Sequence, residues 1–390
     1  MGKLLVISRK FPPSTGGSQT LLKNLFKFFN SEEYVVVHDN EKIEEENEFT
    51  YQGLRVDFPF TSRKILGKLS IPLYIFLIPF IVYKLLRLKK TENIEKCLIN
   101  YPDPFFSVAG YIFIKFTNLE YVLYFHDLFE EAQVKSTRIV QRFLAKIFEK
   151  RMIKDSRKFL VICEGLKDFY KDKYGVQPII LPHSIDLDIV NKNFAIDENS
   201  ESTRPKVIKI VYSGGVYDDQ YDAMFSFVEA IRNSDLNVKL TITSVRSAEY
   251  FKKIGIADED TKVRFFKDRK KVFELQRQAD ILYLPLAFDP PDPFEVKTAL
   301  PTKIFEYIAS MRPILVHCPA DSFLSRFCRE NKIGYVCNTI EKKYILASIE
   351  KLTNSEYKVD YGHRVDFLKK YDRRTIAMRF REIIGCKKRL

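Results

Sequence analysis

Two doubly wound α/β units in tandem are the architecture this sequence predicts, and three observations predict it. Short β-branched runs recur at spacings that leave room for helices, a polar stretch splits those runs into two sets, and 390 residues are too many for one ordinary core. The first set lies at 4–7, 34–37, 97–99, 121–125, 159–162 and 179–181. Such alternation is the pattern of a parallel sheet wrapped by helices. The stretch D-E-N-S-E-S-T-R-P-K at 197–206 has no apolar period and reads as an interdomain linker. The runs then restart at 208–212, 238–242, 263–266, 281–284, 314–316 and 335–336. The expected domains are therefore 1–196 and 207–363, followed by a basic helix pattern over 364–385. Ligand sites in such units are expected at the carboxyl ends of the strands, in the crevice between units.

Composition narrows the partners. An apolar fraction of 46% and an aromatic fraction of 14% supply two cores and exclude disorder. Lys and Arg number 64 against 51 Asp and Glu, a net charge of +13 that favours nucleotides, anionic lipid surfaces or nucleic acid. No nucleic-acid-binding motif accompanies the charge, so a basic nucleic-acid-binding protein is the weaker alternative. The six cysteines form no C-x-x-C pair and read as reduced, buried thiols of a cytoplasmic protein. Lys3 alone precedes the first strand pattern, which does not fit a secretory signal.

The run I-P-L-Y-I-F-L-I-P-F-I-V-Y at 71–83 tests the membrane question. As a helix it would be about 20 Å long, short of the ~30 Å a bilayer requires, and Pro72 and Pro79 weaken it. A buried helix is expected. Its close flank of Arg63, Lys64, Lys68, Lys84, Arg87, Lys89 and Lys90 suits a helix resting on an anionic leaflet, so membrane-surface contact is expected and a span is not.

Four places carry candidate chemistry. Gly16 and Gly17 follow the first strand and precede an amphipathic run, where adjacent glycines let backbone amides approach a phosphate or sugar; a plain strand-to-helix turn would use the same residues. His126 and Asp127 directly follow the strand at 121–125, the end where an α/β site opens, although a structural histidine and a helix cap are the simpler alternatives. Ser213, Gly214 and Gly215 end the first strand of the second set, again a place for backbone contact with a diphosphate. Pro301 suits the first turn of a helix, which puts Lys303 and Glu306 on one helical face, either as a clamp for phosphate and ribose or as a surface ion pair. Arg312-Pro313 is expected to stop that helix. The five histidines are scattered, and D-P-P-D-P at 289–293 is a proline-stiffened loop poorly suited to Mg²⁺, so no metal is expected.

The segment P-T-K-I-F-E-Y-I-A-S-M-R-P-I-L at 301–315 resembles the P-S-K-x-x-E-Y-x-A-x-G-x-P-I-L pattern of bacterial family 4 glycosyltransferases, retaining enzymes that build polysaccharides and lipopolysaccharides. The opening K-L-L-V-I-S-R-K-F-P-P-S-T-G-G-S-Q is similar to that family's first strand and glycine loop. Y-V-L-Y-F-H-D-L-F-E-E at 121–131, L-V-I-C-E-G-L at 160–166 and I-V-Y-S-G-G-V-Y at 210–217 resemble three further stretches, in the family's order. The resemblance implies a GT-B fold, two doubly wound Rossmann-like domains facing each other across a cleft, with the segment 364–390 packing back on the first. It implies transfer of a sugar, with retention and without a cofactor, from a nucleotide diphosphate sugar to a glycan or lipid-linked glycan at the cytoplasmic face of the cell membrane. An epimerase or hydrolase acting on the same donors is the alternative on this fold.

The resemblance also assigns roles. Gly16, Gly17, Gly214, Gly215 and Lys303 would lie at the donor phosphates, Glu306 at the ribose hydroxyls, and His126 with Asp127 beside the transferred sugar. Two departures alter the pattern. Residues 216–222 hold three acids and no base where related enzymes place an Arg and a Lys, so the phosphate role falls on Lys303. Of the family's E-x7-E pair only Glu306 is present; Thr298 stands in place of the first, with Glu295 near but out of register, and sugar contact falls to one of these two.

Overall fold

The computed structural model describes residues 2–12, 16–39, 52–55, 70–100, 103–133, 139–188, 206–258, 261–354 and 356–386, with backbone alone for 52–55, 70–76 and 133. The chain divides into two compact units, Met1–Ser184 with Arg373–Leu390, and Ile185–Asp372.

The first unit is built on seven strands, β1 (Lys3–Ile7), β2 (Tyr34–His38), β3 (Gln52–Arg55), β4 (Ile94–Asn100), β5 (Glu120–Phe125), β6 (Lys158–Val161) and β7 (Ile179–Ile180). They pair in parallel in the order β3-β2-β1-β4-β5-β6-β7. β1 and β5 are apolar and buried along nearly their whole length, as strands covered by helices on both faces must be. The sequence does not predict β3, because Q-G-L-R offers one apolar side chain at a sheet edge and carries little strand preference. Helices α1 (Gly17–Phe26), α2 (Ser70–Thr91), α3 (Pro104–Thr117), α4 (Ile139–Asp155) and α5 (Glu164–Tyr174) connect the strands. α3 shows how sharply the sequence punctuates these connections. Pro104 opens it, Asp103 caps it by accepting from the Phe106 amide at 3.0 Å, and Asn118 ends it in the left-handed conformation at φ 51°. None of the described helices is long and apolar enough to cross a membrane, and α2 carries Pro79 in its interior. Of the basic flank expected around it, Arg63, Lys64 and Lys68 lie outside the described residues.

The second unit repeats the plan. Its strands β8 (Ile208–Ser213), β9 (Val238–Thr243), β10 (Lys262–Arg264), β11 (Ile281–Pro285), β12 (Ile314–His317) and β13 (Tyr335–Cys337) pair in parallel in the order β10-β9-β8-β11-β12-β13. Helices α6 (Tyr221–Arg232), α7 (Ala248–Lys253), α8 (Arg269–Arg277), α9 (Pro293–Thr298), α10 (Lys303–Ala309), α11 (Phe323–Glu330), α12 (Lys342–Thr353) and α13 (Tyr361–Lys369) accompany them. The core gathers Ile210, Tyr212, Phe227, Ile242, Phe251 and Tyr283, with the Phe227 and Tyr283 rings stacked at 4.0 Å. In both sheets the strand order reverses beside the first strand, at β1/β4 and at β8/β11, and α/β sheets of this topology bind ligands at the carboxyl ends flanking that reversal.

The 364–385 pattern, expected as one helix, is two. The backbone between them is taken up elsewhere: the Ile185 amide donates to Tyr371 O at 2.9 Å, and Ile185 bridges to Asp372 in parallel. The Tyr371 ring meanwhile packs against Phe305 and Phe367 in the second unit, at 4.7 and 4.9 Å between centroids. Beyond this break α14 (Arg373–Ile383) returns to the first unit, where Phe380 meets Phe26 and Phe29 at 5.8 and 5.9 Å. Arg381 closes the contact with a two-pronged pair to Glu33 at 2.6 and 3.1 Å. The other crossing falls at Ser184 and Ile185, upstream of the polar stretch 197–206, which apart from Lys206 lies outside the described residues.

Candidate functional site

In the second unit β8 delivers Ser213, Gly214 and Gly215 to the reversal point. The strand end is pinned on both sides, because the Ser213 amide donates to the Tyr307 hydroxyl at 2.8 Å and the Gly214 amide to Thr243 O at 2.8 Å. Gly214 sits at φ 135°, where side-chain-bearing residues are rare, and a Cβ there would come within 2.9 Å of the Lys303 ammonium. Lys303, from the first turn of α10, therefore occupies the space that the missing side chain leaves. Its ammonium donates to the Tyr212 hydroxyl at 2.9 Å and lies 4.2 Å from the centre of that ring. Tyr212 in turn donates to Gly215 O at 2.5 Å. The result is one glycine turn, one tyrosine and one cation locked together. Burial lowers the Lys303 ammonium to about 8, against opposing pulls from Asp219 and Glu306. Gly214→Ala is expected to destabilise the protein by roughly 1–2 kcal/mol, chiefly through the backbone angle, since the flexible end of Lys303 can swing aside. Thermal unfolding checks this.

The remaining predicted residues of this unit separate. Glu306 shares the first turn of α10 with Lys303, but its carboxylate pairs with Arg269 at the start of α8. Arg269 is well exposed and Glu306 half-buried, so the pair is worth ~1 kcal/mol or less and a competing ligand could displace it. Thr298 is buried, and its hydroxyl donates to Phe294 O at 2.8 Å, within its own helix α9. Glu295 lies half-buried on the same short helix. Of the three acids of 216–222, Asp218 is exposed and the other two find places. Asp222, at the start of α6, accepts from the backbone amides of Phe288 and Asp289 at 2.9 and 2.6 Å, fixing the loop after β11. Burial raises the Asp219 carboxyl, opposed by hydrogen bonds and by Lys303.

α10 stops before the expected Arg312-Pro313, at Ala309, and Met311 takes a left-handed φ of 58°. This is the position where the resembling pattern has glycine, and the buried methionine holds it without that freedom. Sequence reasoning missed Tyr212, Tyr307 and Arg269. The two tyrosines look like ordinary core residues in sequence, and Arg269 belongs to a run of basic residues, K-D-R-K-K, that reads as a solvated face.

In the first unit His126 and Asp127 point to different surroundings. His126 is buried, its ring edge-on to Tyr124 at 4.4 Å, and neither ring nitrogen has a hydrogen-bond partner among the described residues. Burial, and then the neighbouring His183, push it well below the ordinary histidine range, so the imidazole is neutral. Asp127, next along, is exposed. The strand ends beside it hold further buried polar groups. Asn100, closing β4, donates to Ser8 Oγ at 3.1 Å, and its Oδ1 has no partner among the described residues. Gly16, at φ 150°, opens α1, and its carbonyl accepts from the Thr20 amide and hydroxyl, both at 2.9 Å. Gly17 is exposed as the first residue of α1. Pro13, Ser14 and Thr15 lie outside the described residues. Among the described residues no group of three or more His, Cys, Asp or Glu side chains could hold a metal ion.

Two doubly wound parallel units, each reversing its strand order beside a glycine turn, define a protein of the GT-B fold. No protein-family model and no curated protein matches the sequence. Solved structures do match in fold. A sucrose-phosphate synthase from Thermosynechococcus elongatus aligns over 99% of this chain and 100% of its own, at TM-score 0.71 and 12% identity. A glycosyltransferase from Rickettsia africae aligns over 98% of each chain, at TM-score 0.66 and 12% identity. The Anabaena protein HepE, in complex with UDP and glucose, aligns over 99% of this chain and 100% of its own, at TM-score 0.67 and 10% identity.

Proposed function

We propose that this chain is a glycosyltransferase that moves a sugar from a nucleoside diphosphate sugar to a glycan, with retention. The acceptor is lipid-linked, and the enzyme works without a metal at the cytoplasmic face of the cell membrane in cell-surface polysaccharide synthesis. The observation that carries this reading is the Lys303 ammonium held against the Gly214-Gly215 turn at the strand-order reversal. A half-buried cation beside a half-buried glycine turn, at the carboxyl end of a parallel sheet, suits a diphosphate leaving group. As the acceptor oxygen bonds to the anomeric carbon, the bond to the diphosphate breaks, the acceptor's hydroxyl proton passes to the departing phosphate oxygen, and Lys303 meets the charge that remains on the diphosphate. Glu306, loosely held by Arg269, can exchange that partner for ribose hydroxyls. In the first unit the neutral His126 can accept a hydrogen bond from a sugar hydroxyl. The UDP and glucose carried by HepE support a donor of this class.

Release of nucleoside diphosphate, measured over a panel of donors with and without acceptor, tests the reading. Turnover should require acceptor and survive a chelator, and it should fall on the order of 10²-fold or more in Lys303→Ala. Glu306→Ala should mainly raise the donor KM. Product formed without acceptor would favour an epimerase or hydrolase, and normal turnover in both variants would remove the site.

A further inference from the structure

The outer face of α4 leaves three large apolar side chains in water. Ile139, Phe143 and Ile147, spaced by four on one arc of the helix, are 66%, 61% and 36% exposed. A second file spaced by four, Lys146, Lys150 and Lys154, runs beside them and is exposed as well. The carboxylates of α4 are engaged elsewhere. Glu149 is fully buried against Lys173, and Asp155 pairs with Lys115 at 2.5 Å. Meanwhile Leu144, Ala145, Met152 and Ile153 fill the inner face. α4 is thus apolar on two sides, and among the described residues of the helix the exposed apolar file is flanked by exposed lysines.

We propose that this face of α4 docks on an anionic lipid surface, with Phe143 and its neighbours entering the interface and the lysines on the headgroups. Charge decides the occupant. Two copies of the chain meeting through the same arc would set lysines against lysines, and a neutral apolar partner would leave those charges unanswered. An anionic leaflet satisfies both files at once, because lysine stems lie along the apolar surface while their ammonium groups reach the phosphates. At about 25 Å, the helix is long enough to lie in the plane of the interface. The proposal rests on the membrane part of the function argued above and not on the donor site.

Co-sedimentation of the full chain with phosphatidylcholine vesicles, with and without phosphatidylglycerol, tests it. The parent should bind the anionic vesicles and release as salt rises. Lys146→Gln with Lys150→Gln should weaken partition about 25-fold, fivefold for each cation removed. Phe143→Ser with Ile147→Ser should weaken it on the order of tenfold or more. Both variants should melt with the parent, since the positions are exposed, and both should keep the parent's donor-induced thermal shift. Unchanged partition in these variants overturns the proposal. So does equal binding to neutral vesicles, or light scattering that shows the parent self-associating through Phe143. A donor shift that persists while vesicle binding fails leaves the catalytic reading standing.

Discussion

Lys303→Met is expected to make the protein more stable and unable to hold its donor. Burial keeps the Lys303 ammonium at about 8 rather than 10.5. Below pH 8 both the folded and unfolded chains are protonated, and the folded chain bears the full penalty of an enclosed cation. Between about pH 8 and 10.5 the folded chain has released a proton that the unfolded chain still binds, so stability rises with pH across that window. Removing the charge at pH 7 should therefore raise stability by about 1–2 kcal/mol, which for a protein of this size is a rise of roughly 2–4 °C per kcal/mol. The stabilising effect of a nucleoside diphosphate should vanish in the same variant, because the phosphates lose the cation held against Gly214. In the parent, donor affinity should weaken as pH rises past about 8, and Lys303→Met should show no such dependence. A pair of thermal melts, with and without UDP across pH 6.5 to 9.5, reads both effects. A variant melting below the parent, or shifted by donor as the parent is, would detach Lys303 from the phosphates.

Much of the fold was legible because parallel strands covered on both faces must be apolar throughout, and such runs stand out in any sequence. All twelve expected runs fall on strands. The exceptions are instructive. β3 was invisible because an edge strand is not required to be apolar, and the 263–266 run overreached because β10 stops at Arg264 and leaves Phe265 exposed. The break at 370–372 was hidden because its cause lies far away in sequence, in the backbone of Ile185.

The site was legible in part. Lys303 and the two glycines that follow β8 were placed by their helix-start and strand-end positions, and the structure joins them through Tyr212. What the sequence could not display was occupancy of each polar group. Thr298 is spoken for by its own helix, Glu306 by Arg269 and Asp222 by the loop after β11, while His126 has both nitrogens open. The partners of Glu306 and Asp222 are set by tertiary contacts across 37 and 66 positions in sequence, with Arg269 and Phe288.

Lys173→Met should be the most destabilising single change considered. The Lys173 ammonium reaches Glu130, Glu131 and Glu149 at 3.2, 2.6 and 2.6 Å, and Glu149 is fully enclosed. Tyr174 and Tyr170 donate to the two oxygens of Glu149 at 2.5 and 3.1 Å, and the Glu130 amide adds a third donor at 3.3 Å. Burial works to lower the Lys173 ammonium, yet Glu149 and then Glu131 hold it above the ordinary lysine range. Its stabilising effect is complete below pH 10.5 and is lost only as pH climbs past the raised value. Without that cation Glu149 is a buried anion facing two further carboxylates, and the loss should be ~3–5 kcal/mol, on the order of 10 °C in Tm. The deficit should depend on pH in one direction. Burial already raises the Glu149 carboxyl above its usual range, and the variant raises it further, so the folded state gains a proton before the unfolded one as pH falls. The deficit is therefore largest at pH 8 and shrinks toward pH 5. Lys173→Met combined with Glu149→Gln should recover much of the loss, since the tyrosines and the Glu130 amide can still bond a neutral amide oxygen. A deficit flat from pH 5 to 8, or a double variant no better than the single, would show that the cluster does not act through the charge on Glu149.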